Sequence, residues 1–278
     1  MKIAVLSGKG GTGKTFVSVN LACVTQPSIY VDCDVEEPNG HLFLKPAITH
    51  RNSVKVKVPI VDSSKCLGCR RCVEFCKYNA LAYIRDKLLI FKEICHSCGG
   101  CTLLCPSKAL TEKEREVGRI EEGLSGQVTV LTGCLNTGES SGVPIIKELI
   151  ENLPEQGTIM IDCPPGSACI VMESILKADF CLLVAEPTLF GVHNLSMVYD
   201  LVKLFNKPLG VVVNKCLEEE DLAERFCIDN QINILAKIPF DDELGRCISD
   251  GLIAVRENQK YRELFKELLV NVAKEVTA

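Results

Sequence analysis

The sequence has 278 residues, 47% of them hydrophobic, which is enough for one large or two ordinary domains with a substantial core. Its formal net charge of −5 argues against a nucleic acid as the main partner. The apolar run at residues 3–6 is too short for a signal peptide, and no run approaches the roughly 18 residues that span a bilayer. We therefore expect a cytoplasmic protein without stable membrane insertion.

A glycine-rich loop follows that first apolar run. Residues 8–15 read Gly-Lys-Gly-Gly-Thr-Gly-Lys-Thr, the pattern of a phosphate-binding loop between a buried strand and a helix predicted over residues 16–24. Glycines let backbone N–H groups turn toward phosphate oxygens, and the helix N-terminus favours an anion. Lys14 is predicted to contact the β/γ-phosphates, and the Thr15 hydroxyl is predicted to bind Mg²⁺. The other residues of the loop that are predicted to bind the nucleotide are Gly8, Gly10, Gly11, Thr12 and Gly13.

Lys9 adds a second lysine to this loop, so that residues 9–15 read Lys-Gly-Gly-x-Gly-Lys-Thr. This resembles the deviant Walker A motif of the MinD/ParA/Mrp and nitrogenase iron-protein superfamily. The resemblance implies a Mg²⁺-dependent ATPase that pairs with a second copy, or with a paralogue, when nucleotide is bound. It also implies that Lys9 contacts the nucleotide of the facing protomer, whereas the alternative is a solvated loop lysine. The alternation of predicted strands and helices independently predicts a doubly wound, mostly parallel α/β sheet.

Carboxylates follow two more predicted strands. The strand at residues 28–31 is followed by Asp32 and Asp34, and the strand at 158–162 ends in Asp162 before a Cys-Pro-Pro-Gly turn. The carboxyl ends of parallel strands lie near the nucleotide in such sheets. By the resemblance, Asp32 and Asp162 hold Mg²⁺ through water, and Asp34 orients the attacking water. The alternative for the first pair is capping of a helix.

The C-terminal third supplies candidates for base recognition. Residues 209–213 form a predicted strand that ends in Asn214. The family resemblance assigns Asn214 to the adenine edge, and Pro239 and Asp241 to a loop that closes over the base. For Asn214 the alternative is a cap at the strand end.

The last segment, residues 261–276, is amphipathic with Leu264, Leu268 and Val272 on one face. Its mixed charge favours a packed helix over a membrane anchor.

Seventeen cysteines are too many for an ordinary cytosolic enzyme, and metal binding explains them better than disulfides. Eight fall into two Cys-x2-Cys-x2-Cys-x3-Cys runs that repeat with a period of 29 residues, the spacing of bacterial two-cluster ferredoxins. In that pattern the fourth cysteine of each run ligates the other cluster. Zinc is a poorer alternative, because its sites use four ligands in two pairs. The predicted ligands are Cys66, Cys69, Cys72 and Cys105 for one [4Fe–4S] cluster and Cys95, Cys98, Cys101 and Cys76 for the second.

The predicted organisation is an ATPase domain at residues 1–57 and 112–278 with an inserted two-cluster ferredoxin domain at 58–111. Residues 60–111 hold eight Lys and Arg against four Asp and Glu. This excess offsets the negative charge of two clusters, or it forms a basic face for an acidic redox partner; both can hold.

Two functions follow from this organisation. The first is ATP-gated electron delivery to a redox or metallocofactor protein, and the second is an Mrp-type cluster carrier or scaffold. The Cys-x-x-Cys near the C-terminus of Mrp-type carriers is absent, since Cys216, Cys227 and Cys247 are far apart, which favours electron delivery. Spatial positioning like that of MinD would not need clusters.

Cys169, seven residues after Asp162, has the spacing of a cluster ligand in the nitrogenase iron protein; the alternative is a small buried packing residue.

Overall fold

The structure is a computed structural model that describes residues 1–217 and 222–277. Its strands are β1 (Lys2–Leu6), β2 (Ser28–Asp32), β3 (Ala47–Val61), β4 (Leu81–Ile84), β5 (Lys87–Ile90), β6 (Leu110–Ser125), β7 (Val128–Leu135), β8 (Ile159–Asp162), β9 (Phe180–Ala185), β10 (Leu209–Cys216) and β11 (Ile234–Pro239). Its helices are α1 (Lys14–Val24), α2 (Gly40–Leu44), α3 (Arg71–Phe75), α4 (Gly100–Leu103), α5 (Val143–Glu151), α6 (Cys169–Ile175), α7 (Leu189–Leu204), α8 (Leu222–Asp229), α9 (Asp242–Ser249), α10 (Ala254–Glu257) and α11 (Gln259–Thr277).

In the described residues, nine strands form one sheet in the order β11-β10-β9-β1-β8-β2-β7-β6-β3. The strands from β11 to β7 are parallel, whereas β6 is antiparallel to both of its neighbours. The central parallel strands are buried on both faces and consist almost wholly of apolar residues, as helices on both sides require. The prediction of a mostly parallel α/β sheet is therefore confirmed.

Helices cover both faces of this sheet with separate apolar cores. One core contains residues of α5, α6 and α7, and the other contains residues of α1 and α11. Phe16 of α1 meets Phe265 of α11 edge-to-face with ring centroids 5.7 Å apart. The last helix is packed, as expected, although Tyr261 and Phe265 are buried with Leu268 and Val272 while Leu264 is only partly buried.

A long β-ribbon joins the sheet to residues 62–109. β3 and β6 pair in antiparallel register from Ala47↔Leu124 to Val61↔Leu110. β6 pairs with β7 only from Gly118 onward, so the outer half of the ribbon extends past the sheet. The ribbon thus runs through the expected domain boundaries at 58 and 111, and it places residues 62–109 at its tip.

The tip has an internal repeat. Arg71 begins α3 and Gly100 begins α4, which is the 29-residue period of the cysteines. Left-handed backbone conformations repeat with the same period, in the pairs Gly68 and Ser97, Arg70 and Gly99, and Asn79 and Lys108. Both cysteine runs therefore have the same loop conformation, which two copies of one ligand-binding unit require.

Candidate functional site

The glycine-rich loop connects β1 to α1 in the conformation that the sequence predicts. Gly11 and Gly13 have φ values of 83° and 92°, where a side chain would be strained. A Cβ on Gly13 would also lie 2.2 Å from Nδ2 of Asn214. That amide donates to the carbonyl oxygen of Thr12 at 2.8 Å. Asn214 therefore holds the loop in shape from the end of β10.

A buried network of charged and polar groups lies behind the loop. Lys14 Nζ is 2.7 Å from Oδ1 of Asp162, and the Tyr30 hydroxyl donates to Oδ2 of Asp162 at 2.8 Å. Burial opposes the charge of Lys14, yet Asp162, with Asp32 and Asp34, outweighs it and holds the pKa of Lys14 above its ordinary value. Lys14, which the sequence predicts to bind phosphate, is therefore a cation held by the carboxylate at the end of β8.

Asp32 lies beside Asp162, since β2 and β8 pair in the register Asp32↔Asp162. Its oxygens accept from the backbone N–H groups of Gly40 at 2.9 Å and Asp34 at 3.2 Å. Burial, and then the Asp162 carboxylate, raise the pKa of Asp32 from 3.8 to about 7. Burial likewise raises the pKa of Asp34 to about 6, against the opposing effect of Lys14. Such a group of carboxylates is stabilised by additional positive charge, so the residues fit a divalent cation.

Lys9 is paired within its own chain. Glu186 Oε2 lies 2.8 Å from Lys9 Nζ, and Glu186 Oε1 lies 2.6 Å from Lys215 Nζ. Burial opposes the charge of Glu186, but Lys215 and Lys9 outweigh it and keep the pKa of Glu186 below its ordinary value. Lys215 also donates to the carbonyl oxygen of Gly11 at 2.9 Å. Lys9 must therefore leave Glu186 before it can contact a facing protomer.

A cavity of about 500 Å³ opens in front of the loop. Its lining includes residues 9–15, Asp34, Asn214 and Pro165 of the Pro-Pro-Gly turn. An apolar part is lined by Leu42, Phe43 and Ile248, which the sequence did not indicate as site residues. These come from α2 and α9, so only tertiary packing reveals them.

Other predicted residues lie outside that lining. Gly8 is packed against α7, where a Cβ would lie 2.2 Å from the carbonyl oxygen of Asn194. Pro239 and Asp241 are not among the residues that line the cavity. Asp241 caps α9 by accepting from the Glu243 N–H at 2.8 Å, and it accepts from the Tyr261 hydroxyl at 2.7 Å. Their assignment to the base stays a prediction.

The eight cysteines of the two runs line two cavities in the ribbon tip. Each cavity takes three cysteines from one run and the fourth from the other run, the crossed arrangement that the spacing predicts. The first cavity is about 270 Å³ and is lined by Cys76, Cys95, Cys98 and Cys101. The second is about 20 Å³ and is lined by Cys66, Cys69, Cys72 and Cys105.

Backbone donors point at the two crossing sulfurs. The N–H of Ala80 donates to Cys76 Sγ at 3.3 Å, and the N–H of Ala109 donates to Cys105 Sγ at 3.2 Å. Hydrogen bonds of this kind stabilise a thiolate. Within residues 1–217 and 222–277, no three His, Cys, Asp or Glu side chains converge closely enough to hold a single metal ion. A cubane makes a different demand, because its four thiolates bind four separate iron atoms. The cysteine sets therefore fit a [4Fe–4S] cluster by donor type and grouping.

Cys169, the other cysteine that the sequence pointed to, differs in its burial from one of the two interpretations given for it. Cys169 begins α6 and is exposed, so the interpretation of Cys169 as a buried packing residue is wrong. It sits at the N-terminal end of a helix that starts beyond the Pro-Pro-Gly turn, whereas the neighbouring Val171 is buried.

Comparison with known proteins identifies the family. Residues 3–255 match the family described as CbiA: CobQ/CobB/MinD/ParA nucleotide binding domain. The chain belongs to this CobQ/CobB/MinD/ParA family. An uncharacterized protein of Methanocaldococcus jannaschii, MJ0579, is 30% identical to it over 258 residues, with 90% of each chain covered.

Solved structures agree with this CobQ/CobB/MinD/ParA assignment. The cell division ATPase MinD of Pyrococcus furiosus has a TM-score of 0.61 at 23% identity and covers 98% of both chains. The septum site-determining protein MinD of Pyrococcus horikoshii, complexed with Mg-ADP, has a TM-score of 0.60 at 20% identity, covering 96% of this chain and 93% of that chain. These likenesses confirm the prediction of a MinD-like fold, and the family match makes the chain a nucleotide-binding P-loop protein of the MinD/ParA type.

A shorter match concerns iron–sulfur proteins. An uncharacterized ferredoxin of Methanocaldococcus jannaschii, MJ0722, is 38% identical over 58 residues, covering 19% of this chain and 75% of that protein.

As for membranes, the described helices include none whose length and apolar character would let it cross a bilayer.

Proposed function

We propose that this protein is a Mg²⁺-dependent ATPase that holds two [4Fe–4S] clusters and couples ATP-dependent pairing of two chains to electron delivery. The recipient is a redox or metallocofactor protein. The observation that carries the proposal is the division of eight cysteines into two crossed sets of four on a ribbon that extends from a P-loop ATPase sheet. The match to a ferredoxin supports the same interpretation.

The residues of the nucleotide site support the hydrolytic half of the proposal. Lys14 is a buried cation that pairs with Asp162 behind the loop and also lines the cavity in front of it, and in this proposal it moves from Asp162 to the β/γ-phosphates when nucleotide binds. Asp34 lines the cavity and is partly buried, which suits a group that orients a water molecule. Thr15, Asp32 and Asp162 would hold Mg²⁺, which when bound neutralises phosphate charge. Breaking the Lys14–Asp162 pair costs energy that nucleotide binding must supply, and it removes a positive charge from beside Asp162 that Mg²⁺ would replace.

Lys9 supports the pairing of two chains. Two bound nucleotides that face each other bring several negative charges together, and cations from both sides are needed to stabilise them. The Lys9 side chain is 38% exposed, and among the described residues its ammonium group is paired only with Glu186 of its own chain. Exchange of Glu186 for a partner's phosphate would make pairing depend on nucleotide.

The cysteine sets support the redox half. Each set supplies four thiols, and a backbone N–H donates to Cys76 and to Cys105. Clusters bound there would accept and pass on single electrons. The exposed Cys69 and Cys98, one in each set, also suit a second function, which is a carrier that donates its clusters to another protein.

Iron content tests the cluster assignment. Anaerobically purified protein is expected to hold about eight irons per chain with the spectra of [4Fe–4S] clusters. Cys98→Ser and Cys69→Ser should each lose about half of the iron, because each disturbs one set. The matched control is Cys134→Ser, a half-buried cysteine outside both sets. Stoichiometric zinc with only traces of iron, or an equal loss in the control, would refute the assignment.

A further inference from the structure

The segment after Asp34 is clamped by a neighbouring loop. The carbonyl oxygen of Val35 accepts from the N–H of Leu135 at 2.8 Å. The Val35 side chain is buried between two glycines: a Cβ on Gly133 would lie 2.6 Å from it, and one on Gly142 would lie 2.3 Å from it. Gly133 and Leu135 belong to β7, and Gly142 stands at the start of α5. A displacement of Asp34 and Val35 must therefore move the loop between β7 and α5, residues 136–142.

That loop, hereafter the 136–142 loop, is fixed to the ribbon and to the ribbon tip. Its Glu139 carboxylate accepts from both terminal nitrogens of Arg115 in β6, with Nη2 at 2.7 Å. Its Ser140 hydroxyl donates to the carbonyl oxygen of Glu93 at 2.7 Å. Arg115 Nη2 also donates to the carbonyl oxygen of Lys92 at 3.0 Å. One guanidinium thus joins the ATPase domain to the residues just before Cys95.

Cys95 shares an acceptor with that guanidinium. The backbone N–H of Cys95 donates to the same Lys92 carbonyl oxygen at 3.3 Å. Cys95 lines the cavity of the first cysteine set and also a smaller cavity of about 90 Å³ that Arg115 and Glu139 line. Glu139 raises the pKa of Arg115, so the guanidinium is a permanent cation next to this loop. Its Nε is buried and has no hydrogen-bond partner in the described residues.

The other cysteine set is held differently. Hydrogen bonds around its first loop stay within the tip, such as Asp62 to Ala109 at 2.8 Å and Ser64 to Asp62. Arg70 lies over the Tyr83 ring, also within the tip. Within residues 1–217 and 222–277, the connection to the 136–142 loop is therefore made by one set and not by its pseudo-symmetric counterpart.

We propose that Arg115 and Glu139 are positioning residues that couple the nucleotide site to the cluster held by Cys76, Cys95, Cys98 and Cys101. This inference rests on the proposed function. When nucleotide moves Asp34 and Val35, the 136–142 loop moves the Arg115 cation and the Lys92 carbonyl relative to Cys95. Charge and hydrogen bonds around the cysteines help set a cluster's reduction potential, so nucleotide shifts the potential of this cluster and leaves the other unchanged.

Thermodynamic linkage makes the coupling measurable from either side. If nucleotide changes the potential of one cluster, reduction of that cluster changes the nucleotide affinity by the same factor. We expect a change of about five-fold, at the low end of measured couplings. For a one-electron couple this corresponds to a shift of about 40 mV, at 59 mV per tenfold.

The test measures ADP affinity on oxidised and on dithionite-reduced protein, together with an EPR-monitored redox titration with and without ADP. The wild type should show the five-fold ratio and a shift in one of two midpoint potentials. Glu139→Gln should bring the ratio to about one and remove the shift, because the charged link to Arg115 is lost. Arg115→Lys, which keeps the charge but not the forked contact, should lie between. The matched control is Glu121→Gln, which breaks the ion pair with Arg119 in the same ribbon.

Each outcome bears on the proposal. Equal ADP affinities in the two redox states, shifts in both potentials, or an unchanged ratio in Glu139→Gln would overturn it, as would an equal effect of Glu121→Gln. Hydrogen exchange at residues 92–97 with and without ADP serves as the readout that does not depend on iron. Nucleotide should alter exchange there in wild type and not in Glu139→Gln; the same response in both would also overturn the proposal. If the purified protein held no iron, the proposed function would be refuted, and hydrogen exchange at residues 92–97 would still test the coupling.

Discussion

Replacing Asp32 by Asn should stabilise the nucleotide-free protein, although we expect the same change to abolish ATP hydrolysis. The carboxylate is fully buried beside Asp162, and its pKa rises from 3.8 to about 7. A shift of roughly three units corresponds to about 4 kcal/mol by which ionised Asp32 destabilises the fold at pH 8. Asn keeps one acceptor oxygen for two N–H donors, Gly40 and Asp34, and loses about 1.5 kcal/mol. The net gain is about 2–3 kcal/mol, or roughly 3–5 °C in Tm for a protein of this size.

The sign of the effect depends on pH. Because the pKa of Asp32 is higher in the folded state, that state binds an extra proton between about pH 4 and pH 7, and wild-type stability falls as pH rises through this window. The gain of Asp32→Asn should therefore be full at pH 8 and nearly absent at pH 5. Thermal unfolding followed by circular dichroism, with EDTA and without nucleotide, measures it. An equal gain at both pH values, or a loss of stability at pH 8, would refute the electrostatic reasoning.

Three further substitutions test the nucleotide site. Lys9→Ala should lower ATP turnover by about 10²-fold while ATP binding is retained, and unchanged turnover would show that Lys9 is an ordinary loop residue. Asp34→Asn should abolish hydrolysis yet still form the ATP-bound dimer in size-exclusion chromatography; normal hydrolysis would contradict the role given to Asp34. Glu186→Gln should release Lys9 and strengthen ATP-dependent dimerisation several-fold, and a weaker dimer would show that Glu186 positions Lys9 for the partner.

Features that depend on short sequence spacings could be predicted from the sequence. The glycine-rich loop, the strand-end aspartates and the two cysteine runs each depend on short spacings, and the structure brings Lys14, Asp32 and Asp162 together as the strand order requires. The hydrogen bond from Tyr30 to Asp162 could not be predicted, because Tyr30 belongs to no motif and the bond joins residues that are 132 positions apart in the sequence.

Long-range packing escaped prediction for the same reason. Apolar and polar residues alternate only from residue 53 onward, yet β3 begins at Ala47, because its exposed first half is held by backbone pairing with β6 and not by apolar periodicity. Glu139 carries no motif, and only its approach to Arg115, 24 residues earlier, gives it a role. The apolar wall of the nucleotide cavity likewise comes from two separate helices.

Measuring electron transfer and iron transfer in the same reaction tests the central claim, ATP-gated electron delivery, most directly. Reduced, iron-isotope-labelled protein is mixed with an oxidised viologen dye and an apo-ferredoxin, with and without Mg-ATP. We expect dye reduction to require ATP, to be lost in Lys14→Ala, and to leave about eight labelled irons on the protein. Transfer of labelled iron to the apo-ferredoxin with each round of ATP use would show a cluster carrier instead. Dye reduction at the same rate without ATP would contradict ATP-gated electron delivery.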